Sequence, residues 1–500
     1  MLSLSSARGG RKLSSLLGLT AHELQELLKK KEISSEDLIK EHLSQIKKVE
    51  GALNAFVTVT EKKALQEAQK IDEKRCRGEE LSSLAGIPMA LSDNILTAGV
   101  KTTCSSRMLA NFVPPYSATV AEKLQSADAV LLGKGNLDEF GLGATTENSY
   151  FGATHNPHDL KAVSGGACGG VSAAVAAEEA VFALGTDTGG DLRQPASFCG
   201  VIGFKPTFGA VSRYGVVTGA SSLGQVGPLT RDMTDCAWVM NAISGYDPHD
   251  SLSVASADKG DYTSFLVNDV KGLKIGIPQE YLQGVDPEII AQLRETAAKL
   301  VELGASCEEV SLPYRELALS TYQIISAAEG SSNLACFDGV RYGFKVEAED
   351  LDTLYKKTRG QGFGPEVKKS IILGTYVLSS EQYEVYYLKA LKVRTLLKAA
   401  MEKLFQNYDC LLLPSTPTVA SNLGDNPARA EARDLKIWTC PANLAGIPAL
   451  SLPWGMVKGR PVGIQFMGKA FAEETLFRIG FTLEQNTNQT RLSLNGKGVC

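Results

Sequence analysis

The chain is short of most features that would assign it a class at sight. It has five histidines and three tryptophans in 500 residues. It has no run of about 18 apolar residues, so no membrane-spanning helix is expected. Positive charge is not in excess, and a net charge of −5 gives no general attraction to DNA or RNA, a local basic patch aside. Ten cysteines are scattered without paired metal-ligand spacing, which fits reduced thiols better than a disulfide framework or a metal site. Cys199 and Cys236 lie in apolar surroundings and read as core, and Cys500 as an exposed terminus. No lysine follows the glycine pairs as in a phosphate loop, and no Gly-x-Ser-x-Gly elbow is present. No metal and no cofactor are therefore expected. No Pro/Gly/Ser linker, fixed-period repeat or low-complexity block divides the chain, so one large domain over 19–490 is expected, with flexible extensions at 1–18 and 491–500.

What is present is the composition of an ordinary globular protein, 44% apolar and 21% charged. The first 16 residues carry Arg8, Arg11 and Lys12 with no acid before Glu23. They read as a disordered extension of a cytoplasmic protein or as a mitochondrial or plastid leader. Thr20-Ala-His-Glu23 is a capping box opening a helix, and helices are predicted over Ser35–Val49 and Glu61–Arg75. His22 and His42 read as surface or capping residues. From Gly86 onward short apolar runs alternate with helical patterns: Ile87–Leu91, Ala129–Leu132, Val181–Leu184, Val201–Phe204, Leu273–Ile277, Cys410–Leu413 and Val462–Phe466 as strands. The residues from Glu316 to Leu404 read as helical with a break at Gly360–Gly364, and Glu473–Gln485 as a closing amphipathic helix. This predicts an α/β fold with a large mixed, mostly parallel sheet covered by helices on both faces.

The stretch from Val163 to Thr207 carries the chemistry. Gly165-Gly-Ala-Cys-Gly-Gly170 precedes a helix, where backbone amides and the helix dipole favour negative charge. Thr186-Asp-Thr-Gly-Gly190 is a second turn of that kind. Two such turns about twenty residues apart around one helix suggest a backbone oxyanion site, built on Thr188, Gly189, Gly190 and Asp191.

Here the chain resembles the amidase signature family, and within it the A subunits of tRNA-dependent amidotransferases. The likeness runs from about Leu19 to Gln485. It includes Asp93-Asn94, Asn136-Leu-Asp-Glu-Phe140, Arg193-Gln-Pro-Ala-Ser-Phe-Cys-Gly200, Gly227-Pro-Leu-Thr230 and Asn443-Leu-Ala-Gly-Ile-Pro448. The resemblance implies the amidase signature fold, and amide hydrolysis by a serine nucleophile, a relay serine in a cis peptide and a proton-accepting lysine. It also implies partners of the B and C type, with tRNA engaged only indirectly. At the positions matching those three residues this chain has Asp191, Ala167 and Ser92. At positions matched to the glutamine-binding groups it has Ser370 and Lys436, with a tyrosine retained as Tyr342. Asp187 and Arg193 match frame residues and read as a buried ion pair. Lys134, Lys205 and Arg213 read as loop or helix-end charges.

These substitutions lead to the expectation of a catalytically inactive relative acting as scaffold, regulator or ligand-binding protein. The alternatives are a working glutamine-hydrolysing subunit, or an amidase with chemistry rebuilt around Cys168 and Asp191. Cys168 is the candidate new reactive residue, because a helix N-terminus lowers thiol pKa. Asp191 is expected instead to accept hydrogen bonds from Thr188, Gly189 and Gly190. The sequence pattern places no general acid beside it.

Overall fold

The computed structural model describes residues 16–255, 260–425, 435–490 and 492. Most of the two expected extensions, and Cys500, lie outside the described residues. Leu16 is already buried in the largest apolar cluster with Leu24 and Leu28, so the packed chain begins before the expected boundary.

Thirteen strands form among the described residues: β1 (Phe56–Val59), β2 (Pro88–Ser92), β3 (Val130–Gly135), β4 (His155–Asn156), β5 (Asp159–Val163), β6 (Phe182–Asp187), β7 (Ile202–Lys205), β8 (Gln225–Thr230), β9 (Lys274–Pro278), β10 (Ser306–Val310), β11 (Cys410–Pro414), β12 (Ala449–Val457) and β13 (Arg460–Gly468). β4 and β5 pair with each other. The other eleven form one sheet in the order β1-β3-β2-β6-β8-β7-β12-β13-β11-β9-β10. Parallel pairing joins β2 to β3 and β6, and β9 to β10 and β11. The centre, from β6 to β13, is antiparallel, so the parallel share of this mixed sheet is smaller than the alternating pattern suggests.

Side-chain alternation shows why both faces need helices. Met89 and Leu91 of β2 and Phe182 and Leu184 of β6 enter one core cluster, while Ala90 and Ala183 between them enter another. The first cluster packs under α1 (Ala21–Lys29), α4 (Thr119–Ser126), α7 (Met233–Ile243), α8 (Pro287–Glu302) and the closing helix Glu473–Asn486. The second packs under α2 (Ser35–Leu53), α3 (Glu61–Arg77), α5 (Gly169–Ala176) and α6 (Arg193–Cys199). A third layer of helices, α9 (Arg315–Asn333), α10 (Leu351–Gly362), α11 (Pro365–Val377) and α12 (Lys389–Leu404), fills the expected helical stretch.

Two local readings change. β8 was hidden because Gly227-Pro228 looks like a turn. It lies mid-sheet, and a Cβ at Gly227 would collide with the carbonyl oxygen of Phe204, so the glycine serves strand packing. His42 is wholly buried, not a surface or capping residue. Its Nδ1 lies 2.9 Å from the Glu178 carbonyl, and burial pushes its pKa down to about 3. The capping box forms as expected, with Glu23 accepting from Thr20 N–H. From α7, Asp235 also accepts the N–H groups of Ala21 and His22.

Candidate active site

β2 and β6 are parallel neighbours, so Ser92 and Asp187 end on the same edge of the sheet, where α5 and α6 begin. Ligand crevices in such sheets lie outside the carboxyl ends of the strands.

A buried frame surrounds this edge. The Arg193 guanidinium bonds Asp187 through Nε at 2.9 Å and Nη2 at 3.0 Å. Its remaining donors reach the Thr439 carbonyl, Gln465 and Asn443. Both partners are fully buried, and Asn443 also donates to Asp187. Burial alone would raise the Asp187 carboxyl, but the adjacent guanidinium holds it well below the usual carboxylate range. The node joins three segments that lie far apart in the chain.

The first glycine turn is mostly a packing device and lends one amide, that of Ala167, to an anion. Gly169 N–H donates to Thr146 Oγ1, Gly170 N–H to the Asn136 carbonyl, and Cys168 N–H to the Asp191 carbonyl. A Cβ at Gly170 would collide with the Asn136 carbonyl oxygen. The second turn does bind an anion, and that anion is its own side chain. Asp191 Oδ2 accepts from Thr188 and Gly189 N–H, each at 3.1 Å, and Oδ1 accepts from Ala167 N–H at 3.0 Å. Gly190 N–H goes to Asp187 instead. The peptide bond Gly166–Ala167 is cis.

The three matched positions therefore cluster, with Ala167 bonded to Asp191 and Ser92 Oγ 3.7 Å from Cys168 Sγ. The Cys168 thiol donates to the Thr186 carbonyl at 3.2 Å and accepts Thr186 N–H at 3.3 Å. Burial pushes it up to about 12, so at neutral pH it is a thiol, and the helix-terminus lowering expected from sequence does not occur. Lys134 and Lys205 are not loop charges; both are buried. The β2–β3 register sets Lys134 beside Leu91 and Gly135 beside Ser92, which directs Lys134 to the other face of the sheet. There it bonds the Ile95 carbonyl, Thr97 and Thr102, and burial pushes it down to about 8. It therefore does not replace a lysine at position 92.

A lysine does reach the site from another direction. Lys436 Nζ lies 2.7 Å from Asp191 Oδ1 and 3.1 Å from the Tyr322 hydroxyl. Burial alone would lower Lys436; the Asp191 carboxylate raises it above its ordinary value, so it stays charged. A proton donor thus stands beside Asp191, which corrects the sequence reading. Tyr322 and Lys436 line a cavity of about 150 Å³ whose other walls include Leu142, Leu319, Ser326, Glu366, Lys369, Ser370 and Leu373. Ser370 lies on this wall. Tyr342 does not; it is exposed and packs against Phe112 and Phe337. The tyrosine of the site is Tyr322, which no short motif marks. Its only sequence signal is helical spacing with Ala318 and Ile325 on the buried face of α9.

Among the described residues, one group has the composition to hold a cation: His22, Asp232 and Asp235. None of them lines the cavity. His22 Nδ1 already sits 3.2 Å from Asp232 and 3.1 Å from Asp235, which accounts for the grouping.

A family model described as amidase matches residues 37–477. The chain belongs to the amidase family. The A subunit of the Moorella thermoacetica glutamyl-tRNA(Gln) amidotransferase is 56% identical over 95% of this chain and 97% of its own length. That of Desulforamulus reducens is 53% identical over 95% and 99%. The crystal structure of the corresponding Thermotoga maritima protein superposes with a TM-score of 0.79 at 38% identity, over 95% of this chain and 96% of that one. These similarities overturn the expectation of an inactive scaffold or regulator. Replacement at the three catalytic and two substrate positions had carried that reading, but relatives matching nearly end to end are amidotransferase A subunits, and the site itself holds a buried Asp191–Lys436–Tyr322 cluster against a cavity. Among the described residues, no helix is long and apolar enough to cross a membrane.

Proposed function

We propose that this chain works as the glutamine-hydrolysing A-type component of a glutamyl-tRNA(Gln) amidotransferase assembly. It would act with B- and C-type partners that bring the charged tRNA to the released ammonia. The observation carrying this reading is identity of 56% across 95% of the chain with a protein of that name, accompanied by an intact Asp187–Arg193 frame. The cytoplasm is the compartment we assign, consistent with nine free cysteines among the described residues.

Lys436 carries the proton traffic, held charged by its 2.7 Å contact with Asp191. It gives a proton to the departing amide nitrogen, and the amine left behind takes one from the water that attacks the amide carbon. The sum is amide plus water to carboxylic acid plus ammonia, with Lys436 restored. The Tyr322 hydroxyl supplies a donor for the carbonyl oxygen. The test is reconstitution with Moorella thermoacetica B and C subunits and glutamate-charged tRNA(Gln). Glutamine-dependent ammonia release and tRNA amidation are expected, and both should disappear in Lys436→Met. An assembly that amidates the tRNA from free ammonia but never from glutamine overturns the reading.

A further inference from the structure

In the amino-acid pocket that the resemblance implies, an arginine and an acid flank the substrate. Here the matched positions hold Ser370 and Lys436, the second of which would repel an α-ammonium. The cavity nevertheless carries one acid and one base side by side, one helical turn apart on α11. Glu366 is 5% exposed, and its Oε1 lies 2.7 Å from Lys369 Nζ, whose side chain is 61% exposed. Both line the same cavity as Tyr322 and Lys436.

We propose that Glu366 and Lys369 form a clamp for the α-ammonium and α-carboxylate of an amino-acid amide. A zwitterion carries its two charges on one carbon, so its receptor needs an acid and a base that are neighbours. This pair is already held in that relation, and the charges of an entering ligand would meet the opposite charge on each. Glu366 is the fixed member, held by burial; Lys369, mostly in solvent, can turn to follow the carboxylate. The methylenes of the ligand would cross Leu142, Leu319 and Leu373, and its amide would reach Lys436 and Tyr322. The clamp rests on the hydrolytic reading for its choice of ligand, yet it makes a claim about binding that stands apart from turnover.

Calorimetric titration of the purified chain tests it with four compounds. L-Glutamine is compared with glutaramate, which lacks the ammonium, with 4-aminobutyramide, which lacks the carboxylate, and with butyramide, which lacks both. Each lost charge is expected to weaken binding by about tenfold. Glu366→Gln should weaken glutamine by about tenfold and leave glutaramate unchanged. Lys369→Met should weaken glutamine and leave 4-aminobutyramide unchanged. Lys369 is exposed, so this variant folds even where Glu366→Gln does not, and the ligand series on the parent chain needs no variant. Butyramide binding as tightly as glutamine, or glutamine affinity within about twofold of the parent in Lys369→Met, overturns the clamp. Ammonia release in the assembly with KM for glutamine unmoved by both variants removes the clamp and keeps the hydrolytic reading. Glutamine binding with the expected pattern but without ammonia release keeps the clamp and removes the other.

Discussion

Two buried ion pairs begin four residues apart and do different work. Asp187–Arg193 is a planar fork whose five donors are distributed over four acceptor residues, all inside the protein. Asp191–Lys436 is a single 2.7 Å contact at a cavity wall, with a lysine whose third proton has somewhere to go. The fork suits a permanent joint because guanidinium matches carboxylate in two bonds and never gives up its proton. A lysine is a compact charge with three rotatable donors, so one N–H can hold the carboxylate while another faces the cavity, and a pair made with it suits chemistry. The contrast between a joint and a working pair is what the following experiments test.

The largest effect is expected at the joint. Arg193→Met leaves Asp187 charged, buried and uncompensated, and should lower unfolding free energy by about 3–5 kcal/mol in a urea titration. If Lys436→Met is equally destabilising, the two pairs are of one kind and the contrast fails. The expectation is smaller, about 1–3 kcal/mol, because the amides of Ala167, Thr188 and Gly189 still hold Asp191. The double variant Asp191→Asn, Lys436→Met should be less destabilised than the sum of the singles, with a coupling of roughly 1 kcal/mol or more.

A third buried contact sharpens the comparison by having no cation. Glu179 is fully buried, and burial, then Glu50, raises its carboxyl well above the ordinary value of 4.5. A raised carboxyl stabilises the fold only while protonated. That contribution is complete below the ordinary value and is lost as pH climbs through the folded-state value. Glu179→Gln keeps a donor without needing a proton. It should therefore change little in acid and stabilise increasingly as pH rises above the ordinary carboxyl value. Melting curves across pH that run parallel for parent and variant would remove this explanation. The smallest effect is expected at Cys168. Cys168→Ala should cost less than about 1.5 kcal/mol and leave ammonia release in the reconstituted assembly intact. A large loss of activity would place the thiol in the reaction despite its high pKa.

Much of the frame was legible. Gly-Gly pairs, Asp187, Arg193 and the Asn443 segment announced a known scaffold, and apolar runs of four or five residues marked most inner strands. β8 was missed because Gly227-Pro228 carries turn chemistry locally, while its role is set by the neighbouring strand at Phe204. Lys134 and Lys205 read as surface charges because lysine is rarely buried. Only the packing around Ile95, Thr97 and Thr102 shows how Lys134 is accommodated. Tyr322 was passed over for Tyr342 because a motif pointed to the second, whereas the first is selected by the helix face that meets Lys436.

The family, the α/β pattern and the three positions matched through the resemblance can be read along the chain, since they rest on local composition, periodicity and short motifs. What the replacements do together comes from the folded arrangement alone. Asp191 and Lys436 are 245 positions apart, and Glu366 comes from yet another layer of helices. A contact of that range leaves no period or spacing in the chain. It exists because the Asp187–Arg193 joint, the second glycine turn and the helices over it fold to one edge of the sheet.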